Sequence, residues 1–364
     1  MIKYVDLFAG IGGFSYGIEK ARICTCGEYQ RKEETGEEGS GIISESKQPD
    51  QPDIGGNNLD SNRSSDPRTE VQGPGTPDRE EDGRGLQLLE QPGRQRLFSC
   101  IGFSEIDRYA SSIYRRHYPG VREFGDITAI RSGDVGETDF IVGGFPCQAF
   151  SIAGKRLGFE DIRGTLFFEI ARLARDLRPR YLLLENVKGL LSHQDGETFQ
   201  SILGVLADLG YDVQWGVLNS KFFGVPQNRE RVFFVGYLGG EGRREVFLNP
   251  VPDETFNGDI RLVAHRKGYH RNTQVFDPEG ITETLDTGEG GGRGHHVALE
   301  TKTRVRRLTP VECCRLQAFP DDWCSTGIDE DGNEIKISDS QQYKCLGNAV
   351  TTSVITWLIE RMFA

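Results

Sequence analysis

Short apolar runs alternate with amphipathic stretches in two parts of the chain, residues 1–26 and 98–238. The first run, Lys3–Phe8, is typical of a buried strand, and the apolar spacing over Gly13–Arg22 indicates a helix. Repeated alternation of strand and helix predicts an α/β fold with a parallel, doubly wound sheet. Further strands are predicted at Phe98–Ser104, Phe140–Gly144, Tyr181–Leu184, Tyr211–Asn219 and Arg231–Tyr237, and further helices at Ile106–His117, Thr165–Leu177 and Phe199–Leu209.

The pattern changes between Pro250 and Thr303, a stretch that is rich in Gly, Thr, His and Arg. Its strand-like pieces, Thr273–Phe276 and Thr282–Leu285, are short, which predicts a small β-rich domain or a long excursion from the main sheet. Two further helices are predicted, over Pro310–Ala318 with Thr309 as its cap and over Ala349–Met362.

Residues 27–96 separate the first predicted helix from the second strand and differ in composition from their flanks. They contain nine apolar residues in seventy, eleven Gly and six Pro, without Phe or Trp. Such a segment cannot bury enough apolar surface to offset the entropy lost on ordering, so we predict a disordered insertion. The insertion carries a net charge of −7 of the chain's −12, which leaves −5 on the remainder. An acidic total therefore argues only weakly against a nucleic-acid partner.

The eight cysteines are scattered through a chain without a signal-peptide pattern, which favours a reduced cytoplasm over a disulfide framework. Cys24 and Cys26 could form half of a metal site, but no matching ligand pair follows at a zinc-site spacing, so no metal is expected. No stretch approaches the ~18 apolar residues that a membrane span needs, so no membrane association is expected.

Glycines and an acid lie at the ends of the first two predicted strands, and a second acid follows at the next junction. Residues 6–14 read DLFAGIGGF, a turn whose glycines let a ligand approach the backbone and whose helix N-terminus favours an anion. A purely structural turn has the same pattern. Glu105 ends the second strand, where a carboxylate can accept hydrogen bonds from ribose hydroxyls or cap the next helix. Asp126 follows at the next junction and can accept from an adenine amino group or serve as a turn residue.

Residues 143–151 read GGFPCQAFS and place Cys147 directly after a predicted strand. Most free cysteines are buried and inert. Here the Gly-Gly pair and Pro146 indicate a shaped loop that presents the thiol at the edge where open α/β sheets place their sites. Because a thiolate is a strong nucleophile wherever positive charge or hydrogen bonding favours it, Cys147 is a candidate nucleophile.

Glu185 follows the predicted strand Tyr181–Leu184, and Arg229 and Arg231 alternate around the start of another strand. A carboxyl group beside an apolar run is partly desolvated, which raises its pKa and suits it to acid catalysis. Alternate residues of a strand share one face, so two guanidinium groups can point into one cleft. A capping role for Glu185 and a solvated edge strand for the arginines fit the same patterns.

Taken in order, these segments resemble the bacterial and phage cytosine-C5 DNA methyltransferases. The resemblance covers essentially all of residues 1–26 and 98–249, then 304–363. It implies a Rossmann-like sheet that binds S-adenosylmethionine, with a catalytic domain at 1–249 and 304–364 and a small target-recognition domain at 250–303. The motifs, in the family's order, are DLFAGIGGF, FSEID, GDIT, GGFPCQAFSIAGKRLGFEDIRGTLFFEI, ENVKGL, QNRERVFFVG, RRLTPVECCRLQAFPD and QQYKCLGNAV.

The resemblance implies a role for each of the four candidate catalytic residues. Cys147 would attack C6 of a cytosine flipped out of the duplex. Glu185 would hydrogen-bond the ring N3 and the amino group. Arg231 would bind the base O2, and Arg229 would support the thiolate and a nearby phosphate. C5 would then take the methyl group and lose its proton, and Cys147 would be eliminated.

The resemblance also implies which residues line the cofactor pocket and which contact DNA; it implies no metal. The last helix should fold back beside the first and bring Asn348 to the cofactor. Residues that match cofactor-lining positions are Phe8, Gly10, Ile11, Gly12, Glu105, Ile106, Asp126, Ile127, Pro146, Leu166 and Asn348. Residues that match DNA-contacting positions are Gln148, Ser151, Arg163 and Thr284, the first three in a mobile catalytic loop at residues 147–166.

The recognition region has the charge expected of a DNA-facing surface. Residues 261–307 carry nine basic and six acidic side chains, and four of the six histidines also lie there. A solvated loop has the same composition, but the position of the region within the family pattern favours DNA. We therefore expect double-stranded DNA as the partner, a cognate restriction endonuclease that acts separately, a monomer and a cytoplasmic location.

Two alternatives stay open from the sequence. An RNA-directed member of the same family would methylate tRNA, and its signature in the recognition region is Cys-Phe-Thr. Residues 250–303 contain no cysteine, so DNA is preferred. A non-catalytic DNA- or cofactor-binding protein is the second alternative, and the four intact catalytic positions argue against it.

Overall fold

The computed structural model describes residues 1–23, 97–147, 166–240, 242–247, 262–265, 274–276, 280–287, 296–298 and 305–363. Strands and helices alternate through most of these ranges. The strands, in chain order, are β1 Ile2–Leu7, β2 Phe98–Ser104, β3 Phe140–Gly144, β4 Tyr181–Val187, β5 Tyr211–Asn219, β6 Gln227–Asn228, β7 Glu230–Leu238, β8 Leu262–His265, β9 Gln274–Phe276, β10 Thr282–Glu283, β11 His296–Ala298, β12 Val305–Arg307, β13 Thr326–Ile328 and β14 Glu334–Lys336.

The helices lie mainly between the strands of the first two-thirds of the chain and at its C-terminal end. Short 3₁₀ segments occupy Ile127–Ala129, Lys188–Gly196 and Ser220–Phe222. The α-helices, in chain order, are α1 Gly13–Lys20, α2 Arg108–His117, α3 Ser132–Val135, α4 Leu166–Leu177, α5 Glu197–Asp208, α6 Pro310–Leu316, α7 Asp339–Asn348 and α8 Thr352–Phe363.

Six strands form the main sheet in the order β2-β1-β3-β4-β7-β5. β1 pairs in parallel with β2 and β3, and β3 pairs in parallel with β4. β7 instead runs antiparallel to both β4 and β5. The predicted doubly wound α/β sheet is confirmed, but the expectation of parallel strands throughout is wrong for β7. The cause is the connection between β5 and β7, which contains a 3₁₀ turn and the short strand β6 but no crossover helix.

The order of the strands creates a switch point at β1. β1 lies between β2 and β3, so the connection from β1 to β2 and the connection from β2 to β3 run in opposite directions across the sheet. Open α/β sheets bind their ligands at such a point, outside the carboxyl ends of the strands. The glycine turn, Glu105 and Cys147 follow β1, β2 and β3 respectively, so the topology brings these three to one edge of the sheet.

Helices cover both faces of the main sheet. α4 and α5 pack on one face through side chains that include Phe167 and Ile202. α1 and α8 cover the other face, where Phe14 is buried. The last helix returns beside the first, as predicted, and Thr356 Oγ1 of α8 donates a hydrogen bond to Gly17 O of α1 at 3.0 Å.

Three of the element boundaries that differ from the predicted ones have a clear physical cause. β4 continues to Val187, because its pairing with β7 extends beyond the apolar run. α2 begins at Arg108 because the carboxylate of Asp107 caps it. α8 begins at Thr352, since Ala349 has extended backbone angles (φ −68°, ψ 154°).

The C-terminal third contains both confirmed and unpredicted elements. Thr309 caps α6 in a capping box with Glu312, as predicted. The sequence pattern predicted neither α7 nor the β13–β14 hairpin. α7 is mostly polar, and its buried residues, Cys345, Leu346 and Gly347, lie together near its end, so it lacks the apolar periodicity that indicates a helix.

The recognition region at residues 250–303 is described in part. β8, β9, β11 and β12 form a four-stranded sheet in the order β12-β11-β9-β8, in which β9 and β11 are parallel and the other pairs antiparallel. β10 leaves this sheet and pairs with β6, next to Arg229. The predicted insertion at residues 27–96 lies outside the described residues.

Candidate active site

The turn after β1 has a backbone that favours glycine at two positions. Gly10 and Gly12 have φ of +55° and +86°, and Phe8 reaches +56° without being glycine. A Cβ at Gly10 would meet nothing within 4 Å, whereas one at Gly12 would lie 2.8 Å from the ring of Tyr118. Gly12 is therefore needed for packing and conformation. Gly10 leaves an open face where a ligand can approach the backbone.

Glu105 holds this turn to the end of β2. Its Oε2 accepts a hydrogen bond from Gly10 N at 2.8 Å, and its Oε1 accepts from Ile106 N and Asp107 N at 2.9 and 2.8 Å. Burial raises the pKa of Glu105, and these backbone hydrogen bonds oppose the rise. Asp107 caps α2, so the carboxyl of Glu105 is not the helix cap. Beside it the side chain of Ile106 is 76% exposed, an apolar surface next to the glycine turn.

Asp126 caps the 3₁₀ turn Ile127–Ala129, but the predicted strand-to-helix junction is wrong, because only an isolated backbone bridge between Phe103 and Glu123 lies between α2 and this turn. Its Oδ1 accepts from Thr128 N at 2.9 Å, which is the turn role considered from the sequence. Ile127 is buried in the core beneath it. Leu166 begins α4 and packs against the same core.

Cys147 is exposed on the loop that follows β3. Asn186, which is buried on β4, donates from Nδ2 to Phe145 O at 3.0 Å, and its Oδ1 accepts from Val187 N at 2.8 Å. This amide fixes the backbone two residues before the thiol. Partial burial raises the pKa of Cys147, so the thiol is protonated at neutral pH in the protein alone. Pro146 is exposed beside it.

Glu185 and Arg231 form an ion pair between β4 and β7. Arg231 Nε lies 2.9 Å from Glu185 Oε1, and the two side chains are 14% and 13% exposed. Glu185 lies within β4 and not after it, opposite Gly144 in the β3 register. A Cβ on Gly144 would lie 2.8 Å from Glu185 Oε2, so the glycine leaves room for the carboxyl group. Burial raises the pKa of Glu185, against the opposing charges of Arg231 and Arg229.

Arg229 is buried in the same cleft, at 2% exposure. Its Nη2 donates to Gly347 O at 3.2 Å and to Ala349 O at 2.7 Å. Its Nε and Nη1 have no hydrogen-bond partner among the described residues. Burial lowers the pKa of Arg229 to about 9, with Arg231 lowering it further and Glu185 raising it. The site therefore offers two unsatisfied donors on a buried cation, an arrangement that favours binding of an anion or a carbonyl oxygen.

The last turn of α7 and the residues after it, 346–351, form what we call the loop at Asn348. A Cβ on Gly13 would lie 2.7 Å from Val350 Cγ1, so this segment packs beside the glycine turn. Gln317, fully buried, holds the segment: its Nε2 donates to Leu346 O at 2.9 Å, and its Oε1 accepts from Thr351 Oγ1 at 2.7 Å. Sequence reasoning assigned no role to Gln317 or Asn186. Each lies inside a quoted motif, which is the one signal that could have singled them out.

The structure describes one of the four predicted DNA-contacting residues. Gln148, Ser151 and Arg163 lie outside the described residues. Thr284 is described, and its Oγ1 donates to Asn228 O at 2.9 Å, next to Arg229. Its contact with DNA stays a prediction.

Among the described residues, no group of three or more His, Cys, Asp or Glu side chains is placed to hold a metal ion. Helices long and apolar enough to cross a membrane are likewise absent from the described ranges. The six described cysteines are free thiols, and Cys24 and Cys26 lie outside these ranges.

Comparisons with known proteins agree with this geometry. The family model for C-5 cytosine-specific DNA methylase matches residues 85–264 and 257–364. The Type II methyltransferase M1.ScrFI of Lactococcus lactis subsp. cremoris is 37% identical over 289 residues, covering 71% of this chain and 70% of that protein. The Type II methyltransferase M.HhaI of Haemophilus parahaemolyticus is 31% identical over 291 residues, covering 71% of this chain and 86% of that protein.

Solved structures show the same fold at low sequence identity. The S. pombe Dnmt2 methyltransferase has a TM-score of 0.60 at 17% identity, over 99% of this chain and 98% of its own. The Entamoeba histolytica methyltransferase EhMeth has a TM-score of 0.59 at 15% identity, over 100% of this chain and 98% of its own. With the family model and the curated relatives, these findings show that the chain belongs to the C-5 cytosine-specific DNA methylase family and is an S-adenosylmethionine-dependent DNA (cytosine-5-)-methyltransferase of the restriction-modification type.

Proposed function

We propose that this enzyme methylates a cytosine that is flipped out of a specific duplex sequence, through a covalent bond between Cys147 and C6. The observation that carries the proposal is an exposed thiol directly after β3, which pairs with β4, where Glu185 forms a largely buried ion pair with Arg231 and interacts with the buried Arg229. Asn186 fixes the turn before Cys147, and Gly144, three residues before the thiol, is packed against Glu185. A base inside a duplex would not reach these buried side chains, so we propose that the target leaves the stack.

The proposed chemistry makes C5 of the cytosine electron-rich enough to take up a methyl group. Attack of the Cys147 thiolate forms a carbon–sulfur bond at C6 and breaks the C5=C6 double bond, whose electron pair moves onto C5 as Glu185 supplies a proton at N3. S-adenosylmethionine, when bound, supplies an electrophilic methyl group for this carbon and leaves, demethylated, as a neutral thioether. Loss of the C5 proton to solvent would then re-form the double bond and expel the thiolate, and N3 would return its proton to Glu185.

Cys147 must lose its proton to attack C6, and we expect the bound DNA to favour this loss. Arg229 suits the role of supporting the thiolate, because it is a buried cation whose Nε and Nη1 have no hydrogen-bond partner among the described residues. Glu185 suits the acid role because burial raises its pKa and favours a bound proton. Arg231, which pairs with Glu185, would donate to the base O2.

The edge of the sheet fits S-adenosylmethionine. The open face at Gly10 admits a ligand to the backbone, and Glu105 and the exposed Ile106 offer a carboxylate and an apolar surface at the next strand end. We assign the ribose to Glu105, the adenine to Ile106 and Asp126, and the remaining contacts to the other predicted lining residues. Both oxygens of Glu105 already accept backbone hydrogen bonds, so it would share its lone pairs with the ribose.

Residues 250–303 are proposed to read the DNA sequence. Their partly described four-stranded sheet, together with the basic charge of residues 261–307, supports a DNA-facing surface. A cognate endonuclease that acts separately, a monomeric state and a cytoplasmic location also belong to this proposal.

A methylation assay with labelled cofactor tests the proposal on duplex DNA and on tRNA. We expect incorporation into duplex DNA at cytosine C5, located by bisulfite sequencing of a host that expresses the gene. Glu185→Gln should slow methylation by about 100-fold or more, because it keeps the shape but cannot supply the proton. Glu230→Gln is the matched control, since this exposed acid pairs with Lys188 outside the cleft. Incorporation into tRNA alone, or equal rates for the two variants, would contradict the proposal.

A further inference from the structure

Among the described residues, residues 280–287 connect the recognition region to the catalytic cleft, and we call them the anchor segment. Its strand β10 pairs in parallel with β6, with Thr282 opposite Gln227 and Glu283 opposite Asn228. Thr282 N also donates to Pro226 O at 2.9 Å. The anchor segment is thus paired with Gln227 and Asn228, the two residues that directly precede Arg229 in the chain.

Gln227 binds the anchor segment to a second part of the catalytic domain. Its side chain is fully buried; Oε1 accepts from Leu285 N at 3.3 Å and Nε2 donates to Leu316 O at 2.7 Å. A single amide therefore spans the anchor segment and the end of α6. Leu316 is followed by Gln317, which holds the loop that bears Asn348.

The anchor segment also touches that loop directly. A Cβ on Gly347 would lie 2.4 Å from Asp286 O and 2.7 Å from Thr287 N, so the two backbones are in van der Waals contact. Gly347 O in turn accepts from Arg229 Nη2 at 3.2 Å. Movement of the anchor segment must therefore displace Arg229, the loop at Asn348, or both, because close-packed backbone leaves no room for independent motion.

We propose that Gln227 is a positioning residue that makes the placement of Arg229 depend on how the recognition region sits on DNA. The inference rests on the proposed function of Arg229 and of residues 250–303. A correct sequence seats the recognition region, the anchor segment follows, and Gln227 carries this placement to the cleft. An incorrect sequence leaves the anchor segment displaced and Arg229 misaligned, so chemistry as well as binding discriminates between sites.

Gln317 provides a matched control for a merely structural role. It too is a fully buried glutamine, but its side chain hydrogen-bonds Leu346 O, Ala349 O and Thr351 Oγ1, all within residues 346–351. Loss of either amide leaves buried partners unsatisfied, so Gln227→Met and Gln317→Met should lower stability to a similar extent. Of these two glutamine side chains, Gln227 is the one that hydrogen-bonds the anchor segment.

The test is the ratio of single-turnover methylation rates on duplexes with the recognition sequence and with one altered base pair. Both variants are first compared by thermal unfolding and by titration of S-adenosylmethionine without DNA. Gln227→Met should lower the ratio about tenfold, because the correct site loses its advantage. Gln317→Met should slow both duplexes by one common factor and keep the ratio.

An unchanged ratio in folded Gln227→Met would overturn the inference. If that variant does not fold, Gly347→Ala tests the same link, because the added methyl group displaces the Asp286 backbone. A lowered ratio in that variant supports the link, and a wild-type ratio overturns it. Failure of the proposed function would be seen separately, as absence of C5 methylation by the wild-type enzyme on any duplex.

Discussion

At the residue scale, Asp6 shows how burial changes a carboxyl group at the edge of the cofactor site. It is fully buried, its Oδ2 accepts from Ser15 Oγ at 2.8 Å, and Ser15 Oγ also contacts Tyr114 OH at 2.7 Å. Oδ1 has no partner among the described residues. Burial raises the pKa of Asp6 to about 8; the hydrogen bonds from Ser15 lower it and the charge of Glu105 raises it. The side chain is thus largely protonated at neutral pH.

Asp6→Asn should change how stability depends on pH. An unfolded aspartate titrates near pH ~3.9, so between there and pH 8 the unfolded chain releases a proton that folded Asp6 keeps. Stability from this group is therefore complete at low pH and declines as the pH rises toward 8. Denaturant unfolding at pH 5 and pH 8 should show the wild type losing a few kcal/mol relative to Asp6→Asn. Parallel losses in the two proteins would contradict the assignment.

The sequence pointed to the candidate catalytic side chains more clearly than to the side chains that hold them. Cys147 follows β3, Glu185 and Arg231 lie within two residues of a strand end, and the structure brings Glu185 and Arg231 into contact. Asn186 and Gln317 act through backbone carbonyls that are distant in the chain. A local pattern cannot show such contacts, because they depend on which strands and loops become neighbours.

At the scale of elements, the contact between α1 and α8 closes the sheet on one face. The helices meet at Gly17, where a Cβ would lie 2.5 Å from Ile355 Cβ and 2.9 Å from Thr352 O. This approach leaves no space for a methyl group. α8 begins directly after the loop at Asn348, so the position of α8 affects where Asn348 lies.

Gly17→Ala should destabilise the fold by about 1–3 kcal/mol through overpacking of this contact. Gly204→Ala in α5 is the matched control, because a Cβ there meets nothing within 4 Å. The control should be neutral or stabilise by up to ~1 kcal/mol, since alanine is the better helix former. Thermal unfolding of the two variants measures both effects, and equal shifts would show that helix propensity outweighs the contact.

Strands and helices with a strong apolar periodicity were easier to predict than those without one. The predicted strands and helices up to β7 come from clear apolar patterns and are found close to the predicted bounds, whereas the short elements α3 and β6 were not predicted. The reversal of β7 follows from the short connection after β5, which has no crossover helix and which the strand-helix alternation earlier in the chain does not indicate. α8 begins late because the loop at Ala349 is held by Gln317 and Arg229, which are tertiary contacts.

At the scale of the whole molecule, charge is distributed unevenly along the chain. Residues 27–96 carry a net −7, whereas residues 261–307 carry nine basic and six acidic side chains. One compact unit of the structure comprises Met1–Thr25 and Gln95–Ala364, and it contains every described residue of the candidate site.

Joining Cys26 to Leu97 through a short Gly/Ser linker should therefore preserve folding, methylation and site preference. The β1–β2 pairing does not depend on the segment, because Ile2 N donates to Leu97 O at 2.7 Å and Ile2 pairs with Phe98. Circular dichroism, the methylation assay and bisulfite sequencing check the three properties. Loss of folding, or a changed recognition site, would show that the segment has a structural or reading role.

Covalent trapping on DNA with 5-fluorocytosine at the target tests the central claim most directly. Fluorine cannot leave as the C5 proton does, so the Cys147–C6 bond should persist as a denaturant-resistant complex with the wild-type enzyme. Cys147→Ser should give no complex yet still bind S-adenosylmethionine, because a neutral hydroxyl is a far weaker nucleophile than a thiolate. Cys100→Ser, which changes a thiol outside the cleft, should trap like the wild type. A trapped complex with Cys147→Ser would contradict the account and assign the nucleophile to another residue.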